Sequence, residues 1–468
     1  MRIHRRSLGR LMFGALAPAG LVRGAVAQDD TSETYFKQAK VDWQQAKGQS
    51  LTIGLNKHPF TESLLPLIPE FRNLTGIEVD YLILPEAEYI TKLTADLSQQ
   101  RGEFSVIMTG PMRNWQYIPP DWILPLDDFL NNPKLTDQAW YKLSDFYPAL
   151  ISANRWDGTT GSGVGKGPLY SIPVLEESYI LAYRKDIFDQ YHIKVPTTMA
   201  ELVEAARLVK QNAGIPGIVA RGTPSVATMS TGFISGLKSF SDGNWAELDT
   251  KLRANFHDPA SVKFTDAWVK MVRESGPPNW ANLQWYDAME MFAAGQAGMI
   301  IDADFFAATY EDPKKSKVAG KVGYALIPAG PGGKPYSGLW TWALGINRAT
   351  KNKEAAWLFI AWATSQRSLL NATVGYNNYN PARASVTEDP RVTARMGAWG
   401  DGSYLRTVAE NLKTARVAWV PQPERARLGD IWARALHDIY FQRMSTEDAL
   451  RKADAEVDRV LKEADIKP

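Results

Sequence analysis

Carboxylates are the residues of this sequence best suited by type to do chemistry. Glu176 and Glu177 are adjacent, and Asp302 and Asp304 stand two apart. Two carboxyl groups can hydrolyse a glycosidic bond, one as acid and the other as base or nucleophile. Neighbours on an extended strand point to opposite faces, however, so Glu176 and Glu177 do not form such a pair by themselves. A secreted glycoside hydrolase is therefore the alternative reading. Other chemistry finds little support. The chain has no Cys, which excludes a thiol nucleophile. His58, His192, His257 and His437 follow residue 27, and none is four residues from another, so a zinc site is not expected. No Gly-x-Ser-x-Gly elbow occurs. The Gly-rich stretch 158–167 fails the phosphate-loop pattern, because Lys166 is followed by Gly167 and not by Ser or Thr. It reads as a surface loop. No catalytic residue, metal or cofactor is expected.

Binding without turnover suits other residues better. Arg221 follows the apolar run Ile218-Val219-Ala220, and Asp302 follows Met299-Ile300-Ile301. Each then sits at the carboxyl end of a strand, where open α/β sheets place ligands. A charge buried there needs a partner. Ligand hydroxyls would serve, and so would a structural ion pair between the two. Asn56-Lys57-His58 and Thr109-Gly110-Pro111-Met112-Arg113 follow two further strands and point to the same edge. His58 could also be a plain loop residue. Trp340 and Trp342 share a face by alternation, either to stack on the carbon face of a sugar or to pack a core. The chain has 16 Trp, more than core filling usually needs.

Strands and helices alternate in the order that positions such residues. Leu51-Thr52-Ile53-Gly54-Leu55 is a first strand, followed by a helix over 62–75 closed by Gly76. A strand over 77–82, a helix over 86–100 and a strand over 104–108 come next. That succession predicts a parallel sheet with helices on its faces. A second unit starts near Tyr170. It has a strand over 179–183, a helix over 199–212 opened by Thr198, and a strand over 217–220. A polar lead-in over 31–47 is expected to be helical. An amphipathic helix opens at Ser445, with Ala449, Leu450, Ala453, Val457, Val460 and Leu461 on one face.

At 468 residues, two lobes are the default expectation. Arg2, Arg5, Arg6 and Arg10 precede a short apolar stretch over 11–22 and the small residues Ala25-Val26-Ala27. This reads as an export signal over 1–27 with cleavage before Gln28, and Arg5-Arg6 followed by Leu8 resembles a twin-arginine signal. Cleavage removes five Arg and no acid, so the net charge moves from +2 to −3. The apparent basicity belongs to the signal and implies no nucleic-acid partner. Without Cys there is no site for an N-terminal lipid, and no other segment is apolar enough to span a bilayer. A soluble monomer in the periplasm is expected.

Several motifs resemble the family-1 extracellular solute-binding proteins, the group that contains the maltose-binding protein. Tyr170-Ser171-Ile172-Pro173-Val174 followed by Tyr183-Arg184-Lys185-Asp186 resembles the family's inter-lobe strand and its Tyr-Asn-Lys-Asp segment, with Arg184 in place of Asn. Pro196-Thr197-Thr198-Met199-Ala200-Glu201-Leu202 resembles a helix entry of the family. Phe292-Ala293-Ala294-Gly295-Gln296-Ala297-Gly298-Met299 and Trp357-Leu358-Phe359-Ile360-Ala361-Trp362 resemble two further signatures. Within the family, Arg221-Gly222-Thr223-Pro224, Met299-Ile300-Ile301-Asp302-Ala303 and Leu339-Trp340-Thr341-Trp342 are similar to the sorbitol/mannitol-binding members. Ser225-Val226 and Ile300 depart from their pattern.

The resemblance implies a two-lobed α/β fold, each lobe a mainly parallel sheet flanked by helices, with the ligand cleft between lobes. Lobe one would hold 28–174 and 326–380, and lobe two 175–325 and 381–468. It implies a carbohydrate or sugar-alcohol ligand and the permease subunits of an ABC importer as partners. The ligand-binding set expected is Asn56, His58, Arg113, Trp340 and Trp342 from lobe one, with Glu177, Arg221, Asp302 and Phe305 from lobe two. Glu177 matches a position where the family often places a ligand-binding Glu. Phe305 falls where the maltose-binding relative stacks a Trp.

Overall fold

A computed structural model describes residues 32–466. The export signal expected over 1–27 lies outside them. The helix Ser32–Lys37 belongs to a unit of its own, with Glu33 ion-paired to Lys37 at 2.5 Å. The lead-in is helical no further, because Asp42 opens a turn and its carboxylate accepts from the Gln44 amide.

From Ala39 onward the chain carries two sheets. Strands β1 (Ser50–Asn56), β2 (Glu78–Leu84), β3 (Val106–Thr109), β4 (Ser171–Pro173) and β9 (Ala343–Ile346) form the first, in the order β2-β1-β3-β9-β4. β1 runs parallel to β2 and β3, and β9 runs antiparallel to β3 and β4. The carboxyl ends of β1 and β3 therefore share an edge with the start of β9, where Thr109 pairs with Ala343. Lys57-His58, Gly110 to Arg113, and Trp340 to Trp342 all leave the sheet at that edge.

The second sheet is built on β5 (Glu177–Arg184), flanked by β6 (Met299–Ala303) and β7 (Val322–Ala325), with β8 (Leu339–Trp340) against the start of β5. All three ladders to β5 are antiparallel, which departs from the mainly parallel sheet expected of each lobe. The cause is the entry of β5 straight from the crossing: it runs away from the first lobe, and its neighbours run back toward it. The strand expected over 217–220 is a single parallel bridge, Val219 to Ile300. The effect on position is the same, since Glu177 begins β5 where Arg221 and Asp302 end their runs.

Three extended segments cross between the sheets and are bonded to one another. The Val174 amide donates to the Trp342 carbonyl at 2.9 Å, the Thr341 hydroxyl to the Leu175 carbonyl at 2.6 Å, and the Glu176 amide to the Asn380 carbonyl at 2.8 Å. The return to the first lobe comes later than residue 326. Ala329 bonds to the Thr197 carbonyl, Gly330 to that of Ser239, and Gly338 to the Ser235 hydroxyl, because this segment runs along the edge of β5 before crossing. From Asn380 the chain first runs back onto the first lobe, where Arg383 bridges to Phe146. The Arg383 guanidinium donates to the Tyr141 and Lys142 carbonyls and to Asp145. Helix Ser403–Leu412 then lies on the second sheet, with Thr407 bonded to the Tyr324 carbonyl and Asn411 to that of Tyr179.

Helix starts follow their sequence signals. Thr198 and Glu201 form a reciprocal capping box on helix Met199–Ala213, which ends at left-handed Gly214. Ser445 caps helix Thr446–Glu463, and its six expected apolar residues are buried. Trp115, Trp156, Trp280, Trp357, Trp362 and Trp432 are fully buried and fill the cores. The stretch 158–167 holds neither helix nor strand.

Candidate functional site

A narrow chamber of about 50 Å³ lies where the two sheet edges meet. Seven of the nine expected residues line it: His58, Arg113, Glu177, Arg221, Phe305, Trp340 and Trp342. Glu86, Met112, Tyr179, Val226, Ala227, Thr231 and Trp285 complete the wall.

Arg221 is the electrostatic centre. Its Nε donates to Asp302 at 2.8 Å and its Nη2 to the other Asp302 oxygen at 2.5 Å, a bidentate pair. Asp302 itself is 3% exposed and does not line the chamber. One of its oxygens also accepts from the Ala303 amide, a third bond to protein. It stands behind Arg221 and holds the guanidinium at the wall; the expectation that Asp302 reaches a ligand is not met. Burial by itself would lower the pKa of Arg221, but Asp302 more than offsets that and holds it above the ordinary Arg value.

Glu177 accepts from the Tyr179 hydroxyl at 2.9 Å and lies 3.9 Å from Arg221. Residues 177 and 179 share a face of β5, which brings both to the chamber. Burial pushes Glu177 up to about 8, despite the downward pull of Arg221. Asp302 already matches the Arg221 charge, so too little attraction is left to offset desolvation of a second carboxylate. Burial therefore favours the neutral carboxyl of Glu177, which both donates and accepts. Glu176 turns the other way, as strand alternation requires. Burial raises it well above the usual range, and the nearby Asp304 raises it further. Asp304 in turn accepts from the Ser178 hydroxyl at 2.8 Å.

From the first lobe, His58 follows β1 and caps the helix Pro59–Leu64, its Nδ1 accepting from the Phe60 amide at 3.1 Å. Its ring centroid lies 5.4 Å from Phe305 and 6.0 Å from each of Trp285 and Trp342. Arg113 opens onto the chamber from helix Pro111–Tyr117, and its guanidinium has no hydrogen bond or ion pair among the described residues. Trp340 and Trp342 meet edge to face at 5.5 Å. Gly110 makes room for Trp340: a Cβ there would come within 2.6 Å of the indole and 2.7 Å of the Thr341 carbonyl. Asn56 lines no part of the chamber. As the last residue of β1 it pairs with Leu84, and its amide is enclosed with both polar atoms unpartnered.

The wall offers cationic and neutral donors, carboxyl acceptors and flat rings, all aimed at one small volume. That set matches a ligand with several hydroxyls and a carbon face. The described residues hold no group of three or more potential metal ligands and no helix long and apolar enough to cross a membrane.

Comparison with known proteins agrees with this architecture. Residues 57–368 match the family described as Bacterial extracellular solute-binding protein. An erythritol/L-threitol-binding protein of Mycolicibacterium smegmatis is 34% identical over 403 residues, 85% of this chain and 83% of that protein. A mannitol-binding protein of Pseudomonas aeruginosa is 27% identical over 400 residues, 83% of this chain and 87% of that protein. In structure, an ABC transporter solute-binding protein of Agrobacterium radiobacter K84 in complex with ribitol superposes with a TM-score of 0.78 and 25% identity, covering 89% of this chain and 99% of that one. A two-lobed fold hinged at three bonded crossings, a walled chamber between its lobes and these likenesses agree: this chain belongs to the bacterial extracellular solute-binding proteins.

Proposed function

We propose that this chain is the exported binding component of an ABC importer, capturing one polyol or small sugar between its lobes and delivering it unchanged to membrane permease subunits. The observation that carries the reading is the chamber wall, where Arg221, Glu177, Tyr179 and Arg113 surround a volume faced by Trp340, Trp342 and Phe305. Hydroxyl pairs suit the first group and the C–H face suits the rings. The relatives named for erythritol/threitol and mannitol, and the ribitol-bound neighbour, support the same ligand class. The wall comes from both lobes, so a ligand favours the arrangement in which they meet, and that difference in affinity drives hinge closure. Export to the periplasm is the reading of the signal over 1–27. A hydrolase is not favoured, because Asp302 is committed to Arg221 and Glu176 faces Asp304, which leaves neither carboxylate pair aimed at the chamber.

A thermal-shift panel of polyols, monosaccharides, disaccharides and amino acids tests this reading. A cognate ligand at 100 times its Kd adds about 2.7 kcal/mol to native stability. Stabilisation by polyols or sugars is the expected result. Stabilisation by amino acids alone, or by nothing in the panel, would count against it.

A further inference from the structure

The cleft has two compartments. Beyond the narrow inner chamber of about 50 Å³ lies an outer one of about 660 Å³, reaching from Lys57 and Glu62 to Met289, Lys315 and Tyr376. Four residues line both: His58, Glu86, Trp285 and Phe305. His58 comes from the first lobe, Trp285 and Phe305 from the second, and the His58 ring lies 5.4 Å from Phe305 and 6.0 Å from Trp285. We infer that this ring partition sets the upper length of the ligand, so that the inner chamber takes a short acyclic polyol and a chain extended by a second sugar unit is refused. The inference rests on the polyol reading and narrows it.

The partition is fixed in place. His58 is 4% exposed and is tied to the Phe60 amide through Nδ1. With Nδ1 accepting, the neutral ring carries its hydrogen on Nε2. Burial pushes the His58 pKa down to about 3, so the ring stays neutral over the whole physiological range. Nε2 is buried and has no protein partner among the described residues. A buried donor without an acceptor is costly, and the terminal hydroxyl of a polyol is a suitable acceptor. The partition thus recognises an end as well as blocking passage. A longer ligand would have to part the His58–Phe305 contact and would leave that donor unmet. The outer compartment, at about 660 Å³, has the room of a usual small-molecule site, so it is the partition and not lack of space beyond it that restricts length.

Two variants test this from opposite lobes. His58→Asn keeps a side-chain acceptor for the Phe60 amide but removes the ring. Phe305→Ala opens the wall without touching that cap. Each is titrated by calorimetry with erythritol, ribitol, mannitol and a disaccharide alcohol, beside the unaltered protein, and melting curves confirm folding. The unaltered protein should prefer erythritol or ribitol to the disaccharide alcohol by at least a hundredfold. Either variant should cut that preference at least tenfold, and Phe305→Ala suffices if His58→Asn does not fold. An unchanged preference in the folded variants overturns the partition, as does equal binding of the disaccharide alcohol by the unaltered protein. Failure of the unaltered protein to bind any polyol overturns the polyol reading itself.

Discussion

Both sides of the chamber wall carry charges and rings, but in the second lobe the charges are tied into the fold, whereas on the first-lobe and hinge side the Arg113 guanidinium has no hydrogen bond or ion pair among the described residues and the rings pack on one another. Arg221 is held by Asp302 through two bonds, and Glu177 is braced by Tyr179. His58, Trp340 and Trp342 pack mainly on one another and on the rings opposite. The difference teaches where binding and stability are coupled. A buried ion pair holds its donors in a prearranged position, but removing one partner strands the other in a medium that penalises charge. A half-buried ring that covers a carbon face can be lost at smaller structural cost.

Arg221→Ala should give the largest effect. It strands Asp302, so unfolding free energy should fall by about 3–5 kcal/mol. Polyol affinity should fall at least tenfold through the lost charge-assisted bonds. Chemical denaturation and calorimetric titration read the two effects. Unchanged stability would mean that the pair does not brace the lobe. Trp340→Ala should weaken polyol binding by about 1.5–3 kcal/mol, by the apolar area it covers, while moving stability less than Arg221→Ala does. Were it to cost more stability than affinity, the ring side would be core and the contrast between the walls would fail.

The charged wall also predicts a pH dependence. Burial raises Glu177 from its ordinary 4.5 to about 8, so between those values the folded state holds a proton that the unfolded state loses. Stability should therefore fall as pH rises through that window. Glu177→Gln should make the decline less steep; Asp304, raised to about 6 by burial, leaves part of the slope. Melts from pH 5 to 8.5 on both proteins check the sign, and identical slopes would contradict it. The smallest effect belongs to Asn56→Ala. Its side chain reaches neither compartment, so affinity should stay within twofold, and a tenfold loss would place Asn56 back at the ligand.

Much of this was legible in the sequence because strand ends and helix caps are local signals. Thr198 with Glu201 and Ser445 marked helix starts, and the ends of β1 and β3 pointed to His58 and Arg113. Local signals do not say which of several neighbours at a strand end turns inward. Asn56 and Asp302 carry the same strand-end signal as the wall residues for that reason, although one is enclosed beside β2 and the other stands behind Arg221. Tyr179 could have been found from Glu177 by two-residue alternation. Trp285 could not, because it enters the chamber from the first turn of helix Trp285–Ala293, brought there by tertiary packing. The antiparallel second sheet was hidden for a similar reason, since strand direction there depends on where the chain crosses between lobes.

Equilibrium dialysis of the purified protein against radiolabelled erythritol, with chromatography of the label afterwards, tests the central claim most directly. The account predicts retention of one equivalent per chain, recovered chemically unchanged and displaced by excess unlabelled polyol. No retention of erythritol or of ribitol and mannitol run in parallel, or recovery of the label as a converted product, would contradict it.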